Sequence, residues 1–254
     1  MGSSFSIMTK EELVCGAKEL SQKAPEPFSD CVKLYFYARY LVSVFEARNF
    51  QLPIQVWNEY RNALDHFMRY MTTVQSIDED LNSPQVKAMR GHLQRAVLDI
   101  SKFICHCNAD KIVEFLAGND VQVLALVDNG NFLTEAKRLE KKAESDFIEA
   151  KVEDKILGDD RGHNEQVVEK YLSAVYSYED ACLFLENKQN DIVNAYQRHG
   201  SLLNKGKNLS RKEQIFIALA IGFVFYVLGN LLPFNGDSTK PQGVVQPQGV
   251  VTAQ

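Results

Sequence analysis

Nowhere in the 254 residues does an apolar–polar alternation last the length of a strand, so β-structure is not expected. Basic residues are not in excess: 28 Lys and Arg stand against 33 Asp and Glu, a net charge of −5. A surface that binds nucleic acid throughout needs clustered cations to meet phosphates, so this balance argues against one while leaving room for a local basic site. The five cysteines (Cys15, Cys31, Cys105, Cys107 and Cys182) are scattered and odd in number, which fits reduced, buried thiols better than a disulfide framework. Cys105-His106-Cys107 has no second Cys/His pair at ligand spacing, so zinc is not expected. The chain also lacks a glycine-rich phosphate loop, a Ser/His/Asp constellation and a carboxylate metal cluster. No metal and no cofactor is expected.

Charge is missing altogether from Ile215–Phe234, a run of twenty residues. A helix of that length rises about 30 Å, the thickness of a bilayer's hydrocarbon core, so the run is expected to span a membrane. Arg198, Lys205, Lys207, Arg211 and Lys212 precede it, and after it only Lys240 is basic, partly offset by Asp237. The positive-inside rule then leaves the N-terminal body in the cytoplasm and sends the last twenty residues across. With no ionisable residue in the span, one copy carries no ion pathway or proton relay. Gly222 and Gly229 are seven apart and would let two spans approach, a weaker signal than GxxxG.

What is present is helical periodicity. Thr9-Lys10-Glu11-Glu12 is a capping-box pattern opening a first helix to about Lys23, which Pro25-Glu26-Pro27 ends. A second, aromatic-rich helix runs from Phe28 to about Asn49, and a third from Pro53 to about Thr73. Ser76–Ser83 reads as an acidic loop. Ser83-Pro84 starts a long fourth helix to about Ala117, with Val86, Met89, Leu93, Ala96, Val97, Ile100, Ile104 and Cys107 at helical spacing. Residues 121–127 fit either a short buried helix or a connector.

From Phe132 the pattern changes. Ala136, Ala143 and Ala150 recur every seven residues in a charge-rich segment. After the turn at 158–162, a three–four alternation runs through Val168, Tyr171, Val175, Tyr178, Cys182, Leu185, Gln189, Ile192 and Tyr196. Together these predict an antiparallel coiled-coil hairpin, its small alanines facing larger residues. The returning arm overshoots the outgoing one by about 20 Å, which would set the bundle close to the bilayer with the hairpin tip pointing away.

The expected architecture is thus all-α. It comprises a helical bundle over 1–127, a coiled-coil hairpin and linker over 128–208, a transmembrane anchor over 209–234 and a disordered tail over 235–254. The tail repeats Pro-Gln-Gly-Val-Val.

One motif carries possible chemistry. The third helix contains Arg61-Asn62-Ala63-Leu64-Asp65-His66, which resembles the Arg-x4-His motif of the HEPN superfamily, helical domains that include metal-independent endoribonucleases of toxin and antiviral systems. The resemblance covers at most residues 28–117. It implies His66 as acid/base group at the RNA 2′-hydroxyl, Arg61 as stabiliser of charge on the scissile phosphate, and Asn62 as their positioner. It also implies two domains pairing to complete one site. Imidazole titrates near neutrality and guanidinium matches phosphate geometry, which suits those roles.

The same helix has a simpler reading. Trp57, Tyr60, Leu64, Phe67 and Met71 form its core face, while Asn58, Arg61, Asn62, Asp65, His66 and Arg69 form a solvated or partner-contacting face with an Arg61–Asp65 pair. Gly91-His92-Leu93-Gln94-Arg95 on the next helix can add His92 and Arg95 to a polar groove with the third helix, or sit on the surface. Two functions from different classes follow. One is a membrane-anchored protein acting by self-association and protein contact; the other is a tethered HEPN-like ribonuclease with RNA as substrate.

Overall fold

The computed structural model describes residues 7–49, 51, 53–73, 83–156 and 165–207, and every regular element among them is helical. Helix α1 (Lys10–Gln22) opens on the expected capping box: Thr9 Oγ1 accepts from the Glu12 amide at 3.2 Å, and Glu12 Oε2 accepts from the Thr9 amide at 2.8 Å. Helix α2 (Ser29–Asn49) follows the proline break, and α3 (Ile54–Thr73) starts after Pro53. Ser83 caps α4 (Pro84–Gly118), with proline in the first turn where a missing N–H costs nothing.

The ambiguous stretch after α4 divides in two. Val121–Leu124 is a one-turn helix, α5, with Val123 and Leu124 buried. A 3-10 turn at Val127–Gly130 then carries Asp128, Asn129 and Gly130 at positive φ, a conformation that Asn, Asp and Gly tolerate best. Helices α6 (Asn131–Ile156), α7 (Glu165–Asn187) and α8 (Gln189–Lys207) complete the described chain.

Two long helices organise the packing. Helix α4 packs against α2, α3 and α7; α6 packs on α7, and α1 contacts α2 and α7. That central position explains the burial of α4 at Val86, Met89, Leu93, Ala96, Val97, Ile100 and Ile104, the stripe expected from the sequence. Ala136, Ala143 and Ala150 of α6 are buried, as are Val168, Tyr171, Val175, Tyr178, Cys182 and Leu185 of α7. Small side chains on one helix accommodate large ones on the other.

Three expectations need correcting. First, the hairpin is no separate arm. Helix α7 is buried at Val167, Leu172, Ala174 and Ala181 as well as along its heptad seam, because α4 covers it too. Met1–His199 form one compact unit, and no boundary falls at 127/128. Residues 200–207 continue α8 into the second unit, Gly200–Gln254.

Second, the returning arm is broken at Lys188, whose ammonium lies 2.6 Å from the Asp128 carboxylate and 3.3 Å from Asp191. The seam shifts there: Gln189 and Tyr196 are exposed, while Ile192 and Ala195 are buried. Third, the inward face of α3 is Val56, Ala63 and Tyr70, and Trp57, Leu64 and Met71 are about half exposed. The expected span Ile215–Phe234, the tail 235–254, the turn at 158–162 and residues 76–82 of the acidic loop lie outside the described residues. Among the described residues no helix is long and apolar enough to cross a membrane.

Candidate functional site

Helices α3 and α4 bring together two features of different chemistry, a polar cluster and an apolar groove. In the cluster, the rings of His66 from α3 and His92 from α4 stack with centroids 5.2 Å apart and planes 23° from parallel. His66 Nδ1 lies 2.8 Å from Gln85 Oε1. An amide oxygen only accepts, so Nδ1 donates and Nε2 is left as the lone-pair end of the neutral ring.

His92 Nδ1 sits 2.6 Å from Glu59 Oε2 and 2.7 Å from the Arg95 Nη2. One ring nitrogen cannot serve both at once. Carrying a proton it donates to Glu59; without one it accepts from Arg95. Arg95 Nε donates to the same Glu59 oxygen at 3.2 Å, so Glu59 is the anchor of the cluster.

The motif residues divide. His66 is half-buried in the cluster, and Asn62 is half-buried one turn earlier. Arg61 is exposed and, five residues from His66, points about 140° away around the helix. The guanidinium brought to the histidine pair is that of Arg95. The expected Arg61–Asp65 pair is replaced by Asp65 with Arg69, 2.8 Å apart. The polar groove between the third and fourth helices is present, with His92 and Arg95 in it. Sequence reading passed over Glu59 and Gln85. Glu59 lies seven residues before His66, a spacing that places both on one face of α3.

The second feature is an open groove of about 680 Å³ between α2 and α3, floored by Met89 and Leu93 of α4. Its walls are mostly apolar and aromatic: Tyr35 packs edge-on to Tyr60 at 5.8 Å, and Trp57 tilts against Tyr60 at 5.4 Å. Arg39 and Glu46 are its charged members. Glu46 Oε1 and the Tyr60 hydroxyl are buried with no hydrogen-bond partner among the described residues. Burial first, and then the neighbouring Tyr35, pushes the Tyr60 hydroxyl's pKa well above the usual phenol range, with Arg39 opposing and Glu46 adding a little, so it remains a proton donor.

Among the described residues no group of three or more His, Cys, Asp or Glu is placed to hold a metal ion. Cys105 is fully buried, and His106 packs its ring against Phe147 at 5.3 Å. Comparison with protein-family models, curated proteins and solved structures finds no match.

Proposed function

We propose that this is a membrane-anchored helical protein that acts by self-association and protein contact, its body on the cytoplasmic side and the run Ile215–Phe234 as its anchor. The observation that carries this reading is the stripe Trp57, Tyr60, Leu64, Phe67 and Met71. It has the three–four spacing of a helix-packing seam, yet only Tyr60 and Phe67 reach the core; Trp57 and Leu64 stand about half exposed at the open groove, and Met71 is about half exposed on the same face. Monomeric proteins scatter exposed apolar residues singly; a contiguous stripe beside a groove is the mark of an interaction site. The test is light scattering on the full chain in mild detergent, with the detergent mass subtracted. A particle of two or more chains is expected, and one chain at all concentrations would sink the reading.

The His66–His92 stack beside Arg95 favours a second reading, the tethered metal-independent ribonuclease. There the lone pair at His66 Nε2 would take the proton of a 2′-hydroxyl, and Arg95 would face the phosphate. Arg61, on the outer face, would serve a site completed by another copy. Incubating RNA with the full chain in EDTA tests it. Cleavage that disappears in His66→Ala and in Arg61→Ala, with helical content unchanged by circular dichroism, supports the enzyme. Cleavage that survives His66→Ala rules it out.

A further inference from the structure

The groove contains a pair of charges that a second copy of the same chain would complement. Arg39 and Glu46 lie on the groove side of α2, seven residues apart, which is two helical turns or about 10.5 Å. Among the described residues, neither is ion-paired with the other or with a residue of α3. Glu46 is half-buried, and its inner oxygen, Oε1, has no donor among the described residues, so the carboxylate is incompletely satisfied within one chain. Midway between them are Val42 and Ser43, both at the groove. Ser43 is exposed, and its hydroxyl is turned back onto the Arg39 carbonyl at 3.0 Å, so the ridge is low at that point.

A helix with a cation and an anion equally spaced about a small midpoint is self-complementary when it meets an antiparallel copy of itself. A two-fold axis through Val42–Ser43 brings Arg39 to the partner's Glu46 and Glu46 to the partner's Arg39, as an isologous interface requires. We infer that two copies pair antiparallel along α2 about Val42–Ser43, with reciprocal Arg39–Glu46 contacts and the aromatic groove walls closing over each other. This rests on the self-association reading and names its surface. Such pairing also places Trp57 and Leu64, which are 48% and 54% exposed in one chain, against apolar surface. Charge complementarity of this kind fixes register and partner more than it adds raw affinity.

The test is disulfide trapping in the full chain in mild detergent, on a Cys15→Ser background because Cys15 is the exposed thiol. Ser43→Cys, at the axis, should link two copies under mild oxidation at least tenfold more than Lys141→Cys on exposed α6 surface. Arg39→Glu alone and Glu46→Arg alone should each cut that yield about tenfold, because each places like charges in both contacts. The double reversal should restore it. Failure of Ser43→Cys to link above the α6 control, or linking that ignores both single reversals, overturns the interface. If light scattering still reports a dimer in that case, the two-fold surface is wrong and self-association stands. A single chain overturns both and leaves the groove to a helix of a different protein.

Discussion

Glu179 on α7 is only 9% exposed and is held by two partners from other helices: the Arg48 guanidinium from the end of α2 and Asn108 Nδ2 from α4, at 2.8 Å. A carboxylate out of water costs several kcal/mol unless it is paired and hydrogen-bonded, so removing one partner exposes that cost. Arg48→Met is therefore expected to destabilise the fold by about 3 kcal/mol, read as a lower urea midpoint with an unchanged slope. A midpoint equal to that of the wild type would show that the tie contributes little. The cysteines permit a second residue-level prediction. Burial pushes the Cys31 and Cys182 thiols up to about 12 and holds Cys105 still higher, so at pH 8 these three are almost entirely protonated. Thiolate-directed labelling of the native chain should reach exposed Cys15 first, and Cys31, Cys105 and Cys182 only after unfolding. Peptide mass mapping of the labelled protein reads the order.

At the scale of helices, the α6–α7 contact depends on alanine. Ala143 and Ala150 are fully buried between larger neighbours, so Ala143→Leu has no space and should cost about 1–3 kcal/mol by overpacking. Thermal unfolding measures it; a Tm unchanged or raised would mean the helices lie further apart than described. The same helices show what the sequence carries and what it does not. Boundaries were legible wherever local chemistry sets them, as at the Thr9 capping box, the Ser83-Pro84 start of α4 and the prolines around α2. The α7 seam was legible as far as Leu185 because its period is regular.

The inward face of α3 was not legible. This helix carries two neighbouring apolar stripes, Val56/Ala63/Tyr70 and Trp57/Leu64/Met71, and hydrophobicity alone favours the second. Which one turns inward is decided by contact with α4, a non-local fact. At the break, Lys188 also pairs with a residue distant in sequence, Asp128, which no local pattern announces. The candidate site was half legible: His66, His92 and Arg95 drew notice by residue type, whereas Glu59 and Gln85 acquire meaning only once the two helices are side by side.

For the molecule as a whole, the uncovered face of α3 is the feature that the internal packing leaves unused. Trp57, Leu64, Met68 and Met71 are each about half exposed, next to a groove with a buried carboxylate oxygen that lacks a donor among the described residues. Anchoring in a membrane, as proposed, would confine copies to a surface and raise their effective concentration, so a modest interface would suffice to pair them. The chain contains a single tryptophan, and it lies on this face, which makes it a built-in reporter. The most direct measurement is Trp57 fluorescence of the full chain in mild detergent across a dilution series, with acrylamide quenching. The account predicts emission moving to shorter wavelength, and quenching falling, as concentration rises and the groove closes. Emission that stays at long wavelength and fully quenchable at every concentration would contradict it.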